Sequence, residues 1–275
     1  MFHRVLPKEL IFMNRRNAYL KRGTLISLET FTEIIEFILY NNFECINISK
    51  VSENNNSNNA IALTFDDGYS DNYYYVMPKL EKYGITATFF PVLKPCIENS
   101  VLPIDIYYWI ADNSELSEEI YNDMITGEKK KIFYRMSAEN QIKNLNEYFP
   151  GYITNNEHIR YLNKQEINEI SKKGCEIGSH SVTHSLLTFD YMTESGIFYE
   201  LSHSKTCLEE ITGSKINSFC FPSGYYNKEI VQMAREIGYN SFCSIKYINY
   251  IDYSIYERFF VTEDSKAELF ALLKN

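Results

Sequence analysis

Two short stretches hold the residues most able to do chemistry. LTFDDGYSDNY at 63–73 sets two carboxylates side by side, Asp66 and Asp67. Far along the chain, EIGSHSVTH at 176–184 sets two imidazoles four residues apart, His180 and His184. The chain has only five histidines, so two in this spacing are a concentration. One carboxylate and two imidazoles suit a divalent ion with positions left open, and the second carboxylate remains as a base. That chemistry is metal-assisted hydrolysis. The plain alternatives are a common Asp-Asp-Gly turn and two incidental surface histidines.

These side chains need elements to position them. Apolar periodicity and caps predict helices at 29–41, 71–83, 164–173, 194–212, 227–238 and 264–273. Asp71 and Asn227 are expected as N-caps, and Gly84, Gly174, Gly213 and Gly238 as helix stops. Short apolar runs predict strands at 5–6, 44–48, 60–65, 86–92, 175–178, 217–221 and 241–245. The alternation indicates an α/β fold with parallel strands, and both clusters follow strand ends, where barrel active sites collect. Residues 95–160 break the pattern. They are expected to form a mostly helical insertion (104–112, 115–126 and 137–148) within a single domain, 1–275, either shaping the substrate cleft or covering the barrel's side. The Asn-rich stretch 52–59 is expected as a solvated loop.

Gross properties narrow the function classes. The net charge is −9 with no basic run, which argues against nucleic acid as a partner. Six cysteines without a C-x-x-C pair suit a reducing compartment. The start MFHRVLPKEL lacks the pattern of a secretory leader, and no run of about 18 apolar residues occurs, so no transmembrane segment and a cytoplasmic location are expected. Nothing in the chain indicates an oligomeric state.

TFDDGYSDNY, GITATFF at 84–90, GCEIGSHSVTH at 174–184 and FCFPSG at 219–224 together resemble the polysaccharide deacetylases, the NodB-homology group of carbohydrate esterase family four. The resemblance covers roughly 60–93 and 164–245. It implies a distorted (β/α)7-type barrel and metal-dependent removal of an N- or O-acyl group, usually acetyl, from an amino sugar. It makes Asp66 the general base, Asp67, His180 and His184 the metal ligands, and the backbone N–H of Ser223 an oxyanion donor. Zinc is the expected ion, with nickel, cobalt and iron also compatible with such a site.

Two departures stand out. The family usually carries an Arg two residues before the Pro of its third motif, paired with the base; here that position is Cys220, so another cation must hold Asp66 or its titration must differ. Many members also take the general acid from a His near the C-terminus, yet no His follows His203. The opening FHRV resembles the Tyr/Phe-His start of a branch acting on exopolysaccharides, which makes His3 the acid. In a barrel the first strand lies beside the last. Tyr69, Tyr73, Tyr225, Tyr226 and the sole tryptophan, Trp109, are candidates to line a sugar cleft, although Trp109 equally suits a core anchor. His203 and His158 are expected as solvated or structural residues. The leading expectation is a deacetylase of a glycan or glycan precursor in capsule, lipopolysaccharide or exopolysaccharide biosynthesis, acting on a nucleotide- or lipid-linked sugar or a short glycan. A deformylase of a lipid-linked amino sugar and a carbohydrate-binding pseudoenzyme are the alternatives.

Overall fold

Short parallel strands alternate with helices along the chain. In the computed structural model, which describes residues 1–12, 16–51, 59–149, 159–245 and 255–274, the strands are β1 (Arg4–Leu6), β2 (Leu25–Ser27), β3 (Glu44–Cys45), β4 (Ala60–Ile61), β5 (Thr64–Asp67), β6 (Thr88–Pro91), β7 (Glu176–Ile177), β8 (Ser218–Cys220), β9 (Ser241–Ser244) and β10 (Ile255–Glu257). β5, β6 and β7 form one parallel sheet, and β8, β9 and β10 another. A parallel bridge between Ser179 and Phe219 joins the two, and a second, Phe2 to Phe65, joins the start of the chain to β5. Beyond β10, Val261 N–H donates to Met1 O, and the Met1 nitrogen to Phe259 O. The ring thus runs β1, β5, β6, β7, β8, β9, β10 and back, with β2 paired to β1 at Arg4–Leu25. This is a distorted (β/α)7-type barrel. Its interior is aromatic: Phe65 stacks on Phe89 at 4.9 Å and on Phe2 at 5.2 Å, and all three are buried.

The helices are α1 (Lys8–Ile11), α2 (Ala18–Arg22), α3 (Leu28–Tyr40), α4 (Met77–Tyr83), α5 (Leu93–Glu98), α6 (Pro103–Asn113), α7 (Glu118–Ile125), α8 (Glu128–Tyr134), α9 (Ala138–Tyr148), α10 (Lys164–Lys172), α11 (Glu194–Thr212), α12 (Lys228–Ile237) and α13 (Lys266–Lys274). α3 forms because the Ser27 side chain caps Thr30 N–H while Phe31, Ile34, Ile35 and Ile38 share one buried face. A capping box between Asn163 and Glu166 starts α10, and Asn227 caps α12 as expected.

Several elements depart from the sequence reading. The 60–65 run splits into β4 and β5, and 44–48 keeps only two strand residues. The 71–83 helix opens as a π-helical turn, Asn72–Val76. Asp71 does not cap it. Its carboxylate instead takes Arg4 Nε at 2.9 Å and Val5 N–H at 3.1 Å, pinning the barrel's first strand. β2, β10, α1, α2, α5 and α8 were not expected: three-residue strands show no period, and the lysine-rich EKKKIFY of α8 carries too little apolar pattern. Residues 52–58 and His158 lie outside the described residues. The six cysteines are free thiols. Among the described residues no helix is long and apolar enough to cross a membrane.

Candidate active site

β5 ends in the two carboxylates, and the backbone there is unusual. Asp67 has φ 69° and Gly68 φ 78°. A Cβ on Gly68 would stand 2.8 Å from Pro91 Cβ, so this turn needs glycine. The reversal sends the two carboxylates to different partners. Asp66 meets Arg258, just past β10, in a two-pronged pair: Nη1–Oδ1 2.7 Å and Nη2–Oδ2 2.8 Å. Arg258 also donates to Thr64 Oγ1 at 3.2 Å and to Cys220 Sγ at 3.0 Å. Burial alone would raise the Asp66 carboxyl, but the charge and hydrogen bonds of Arg258 bring it well below the usual carboxylate range. The cation that Cys220 cannot supply therefore arrives from the residue after the last strand, beside the thiol. No motif marked Arg258; only the need of Asp66 for a cation pointed to such a residue.

Asp67 has the opposite environment. Burial first, then the neighbouring charge of Asp66, push its carboxyl well above the ordinary value, and its Oδ1 is buried with no hydrogen-bond partner. That oxygen faces His180 Nε2 at 3.5 Å and His184 Nε2 at 3.6 Å. The histidines reach it from the loop after β7. Ser181 and His184 both take left-handed backbone (φ 67° and 62°), so the segment folds on itself and brings the rings to 4.9 Å. Glu200 of α11 holds this loop by accepting from Val182 N–H at 2.8 Å and Thr183 N–H at 3.0 Å. The glycine of GSH is needed upstream, where a Cβ at Gly178 would stand 2.3 Å from Phe90.

These residues fit a divalent ion. The ligand atoms of Asp67, His180 and His184 lie within 4.8 Å of one another. His180 Nδ1 sits 2.7 Å from Cys220 O, so that nitrogen carries the proton and Nε2 is free to bind; His184 Nδ1 lies 3.4 Å from Tyr134 OH. Burial keeps both imidazoles neutral, as ligands must be. An orphaned, buried carboxylate oxygen between two neutral imidazoles costs free energy that a cation would recover. Asp66, His180 and Cys220 also cluster, but Arg258 already occupies the carboxylate and the thiol.

A cavity of about 540 Å³ opens over this floor. His3 lines it, with a buried Nδ1 that has no partner among the described residues, and Asn72 Nδ2 donates to its backbone oxygen at 2.9 Å. Burial lowers His3 to about 3, with the charge of Asp66 opposing. Ser223 also lines the cavity, in left-handed backbone (φ 55°) within the turn Pro222–Gly224, its Oγ donating to Tyr134 OH at 2.5 Å. The segment 95–160 contributes Ile104, Asp105 and Tyr108 of α6 and Lys130 and Tyr134 of α8, so it shapes this cavity. Tyr225 borders it and is part-exposed. Tyr69 is on its wall but buried, its hydroxyl spent on Asp105 at 3.0 Å. Trp109 is not brought to the cavity; it packs half-buried against the core, the anchor role that competed for it. Tyr73 binds Glu169 instead, Tyr226 stacks on Phe221, and His203 stacks on Tyr199.

Comparisons with known proteins point the same way. The family profile described as polysaccharide deacetylase matches residues 53–242. The putative polysaccharide deacetylase YxkH of Bacillus subtilis is 22% identical over 183 residues, 66% of this chain; the match spans 43% of that relative, less than half its length. In structure, the Streptococcus pyogenes deacetylase PplD, solved with acetate, superposes with a TM-score of 0.64 at 16% identity, covering 100% of this chain and 96% of the other. IcaB from Ammonifex degensii gives 0.63 at 14% identity, covering 100% and 97%. The chain belongs to the polysaccharide deacetylase family.

Proposed function

We propose that this protein is a metal-dependent deacetylase that releases acetate from an N-acetylated amino sugar of a glycan or glycan precursor. The observation that carries this is the Asp67 oxygen, buried and unpartnered between His180 and His184, beside an Asp66 fixed by Arg258. Asp67, His180 and His184 would hold a divalent ion, which would supply Lewis acidity and an acidified water at neutral pH. The other steps fall to the chain itself. Asp66 is ionised and held in one orientation by Arg258, so it takes a proton from water attacking the acyl carbonyl. The Ser223 N–H donates to the oxygen that becomes negative. The proton Asp66 takes up then passes to the leaving amine through His3, which starts neutral and shares the cavity with Asp66.

Asp66→Asn tests the base. The variant should retain the ion by elemental analysis yet lose acetate release by about 10²–10⁴-fold, the range for one acid–base group; unchanged turnover would remove Asp66 from the mechanism. His3→Ala should lower kcat while leaving ion content intact. Near-normal turnover there would assign proton delivery to another group.

A further inference from the structure

The chain is acidic overall, 36 Asp and Glu against 27 Lys and Arg, yet the cavity over the site is lined by Arg22, Lys130, Lys131 and Arg135. Its carboxylates are already engaged. Asp66 holds Arg258, Asp67 faces the histidines, and Asp105 accepts from the hydroxyls of Tyr19, Tyr69 and Tyr161. Lys131 pairs with Glu128 at 2.6 Å. No ion pair joins Arg22, Lys130 or Arg135 to a carboxylate among the described residues.

Two of these cations are placed by the fold. Arg22 is the last residue of α2, and Gly23 follows in left-handed backbone, where a Cβ would stand 2.6 Å from Thr262 Cγ2; the arginine lies 5.1 Å over the ring of Tyr108. Lys130, on α8, lies 4.6 Å over the ring of Tyr134, whose hydroxyl is 3.4 Å from His184 Nδ1. The two come from separate elements and line the same cavity. Burial, then the charges of Arg22 and Lys131, bring Lys130 down to about 8. A neutral sugar over this wall would desolvate both charges and pair neither.

We infer that the cavity takes an amino sugar bearing a phosphoryl group, with Arg22 and Lys130 gripping the phosphoryl oxygens while the acyl group reaches the Asp67–His180–His184 floor. The inference rests on the deacetylase reading of the same site. Phosphoryl is favoured over carboxylate by charge: a phosphate monoester carries about −1.5 to −2 at neutral pH and presents three acceptor oxygens, enough for two cations. Arg22 and Lys130 act here as specificity determinants.

Calorimetry on the zinc-loaded protein tests this with ligands that carry no acyl group and so do not turn over: glucose 1-phosphate, methyl glucoside, glucuronate and inorganic phosphate. Glucose 1-phosphate should bind at least about tenfold tighter than the other three, and Lys130→Gln or Arg22→Gln should each cost about tenfold, as expected for a lost charge-assisted contact. Equal binding of glucose 1-phosphate and methyl glucoside overturns the inference, as does an affinity unmoved by both substitutions. Glucuronate binding as tightly would make the class a carboxylate, and inorganic phosphate binding as tightly would make the site one for a free anion; either also overturns it. Acetate release from N-acetylglucosamine 1-phosphate, followed in parallel, separates this inference from the deacetylase reading. Binding preference without acetate release sinks the deacetylase reading and leaves the phosphoryl site standing, whereas acetate release without binding preference does the reverse.

Discussion

Replacing Arg258 by methionine should cost the protein about 3–5 kcal/mol of stability and abolish most acetate release at the same time. The magnitude follows from burial. The side chains of Arg258 and Asp66 are 6% and 3% exposed, so removing the guanidinium strands a carboxylate where water cannot replace it. Chemical denaturation should show the loss at pH 7. Its pH dependence has a definite sign. In the wild type Asp66 is held below its unfolded value of about 3.9, so the pair contributes fully above that pH and fades as pH falls toward the folded value. In the variant the buried, unpaired carboxyl is easier to keep protonated, so the gap between the proteins should narrow in acid. A gap that is constant with pH would mean that the loss comes from packing. Cys220 offers a sharper check, since its thiol sits 3.0 Å from Arg258 Nη2 and 3.6 Å from Asp66 Oδ2. Cys220→Arg combined with Arg258→Met moves the cation to the position the family usually gives it. Partial recovery of activity in that pair, absent from either single variant, is the expected outcome.

His180→Ala and Asp67→Asn should each lower affinity for the ion by more than about 100-fold, because even residues that only orient metal ligands typically cost 10–100-fold. Asp67 adds a pH signature. Burial and the charge of Asp66 raise its carboxyl in the ion-free protein, so a proton competes with the cation for the same oxygen. Affinity should therefore climb as pH rises, by about tenfold per unit below the Asp67 value, and level off above it. Titration with zinc at several pH values checks this; an affinity independent of pH would remove Asp67 from the ligand set.

How much of this could be read from residues alone depended on whether local pattern or distant pairing did the positioning. α11 was legible to the residue, because apolar periodicity and the Gly213 stop are local signals, and the structure adds Thr193 as its cap. Asp66, Asp67, His180 and His184 were legible as residue types, and the structure brings them to one floor. The shape of the loop that presents the histidines left no local pattern, since it comes from left-handed backbone at Ser181 and His184 and from Glu200, 18 residues beyond Val182. Arg258 was invisible. It stands beside a three-residue strand without periodicity, and only barrel closure carries it to Asp66. Lys130 and Tyr134 were hidden in a lysine-rich stretch that shows little amphipathic pattern but becomes α8. Trp109 shows the converse: a residue type suited to sugar stacking that the fold uses for packing.

If a divalent ion on Asp67, His180 and His184 drives deacetylation, chelation should control acetate release from N-acetylglucosamine-containing substrates, both phosphorylated and neutral. Release that stops with the chelator and returns on adding one equivalent of zinc, nickel, cobalt or iron is the expected result. Release that continues in the metal-stripped protein would remove the ion from the reaction, and no release from any such substrate by protein carrying a full equivalent of metal would remove the deacetylase activity itself.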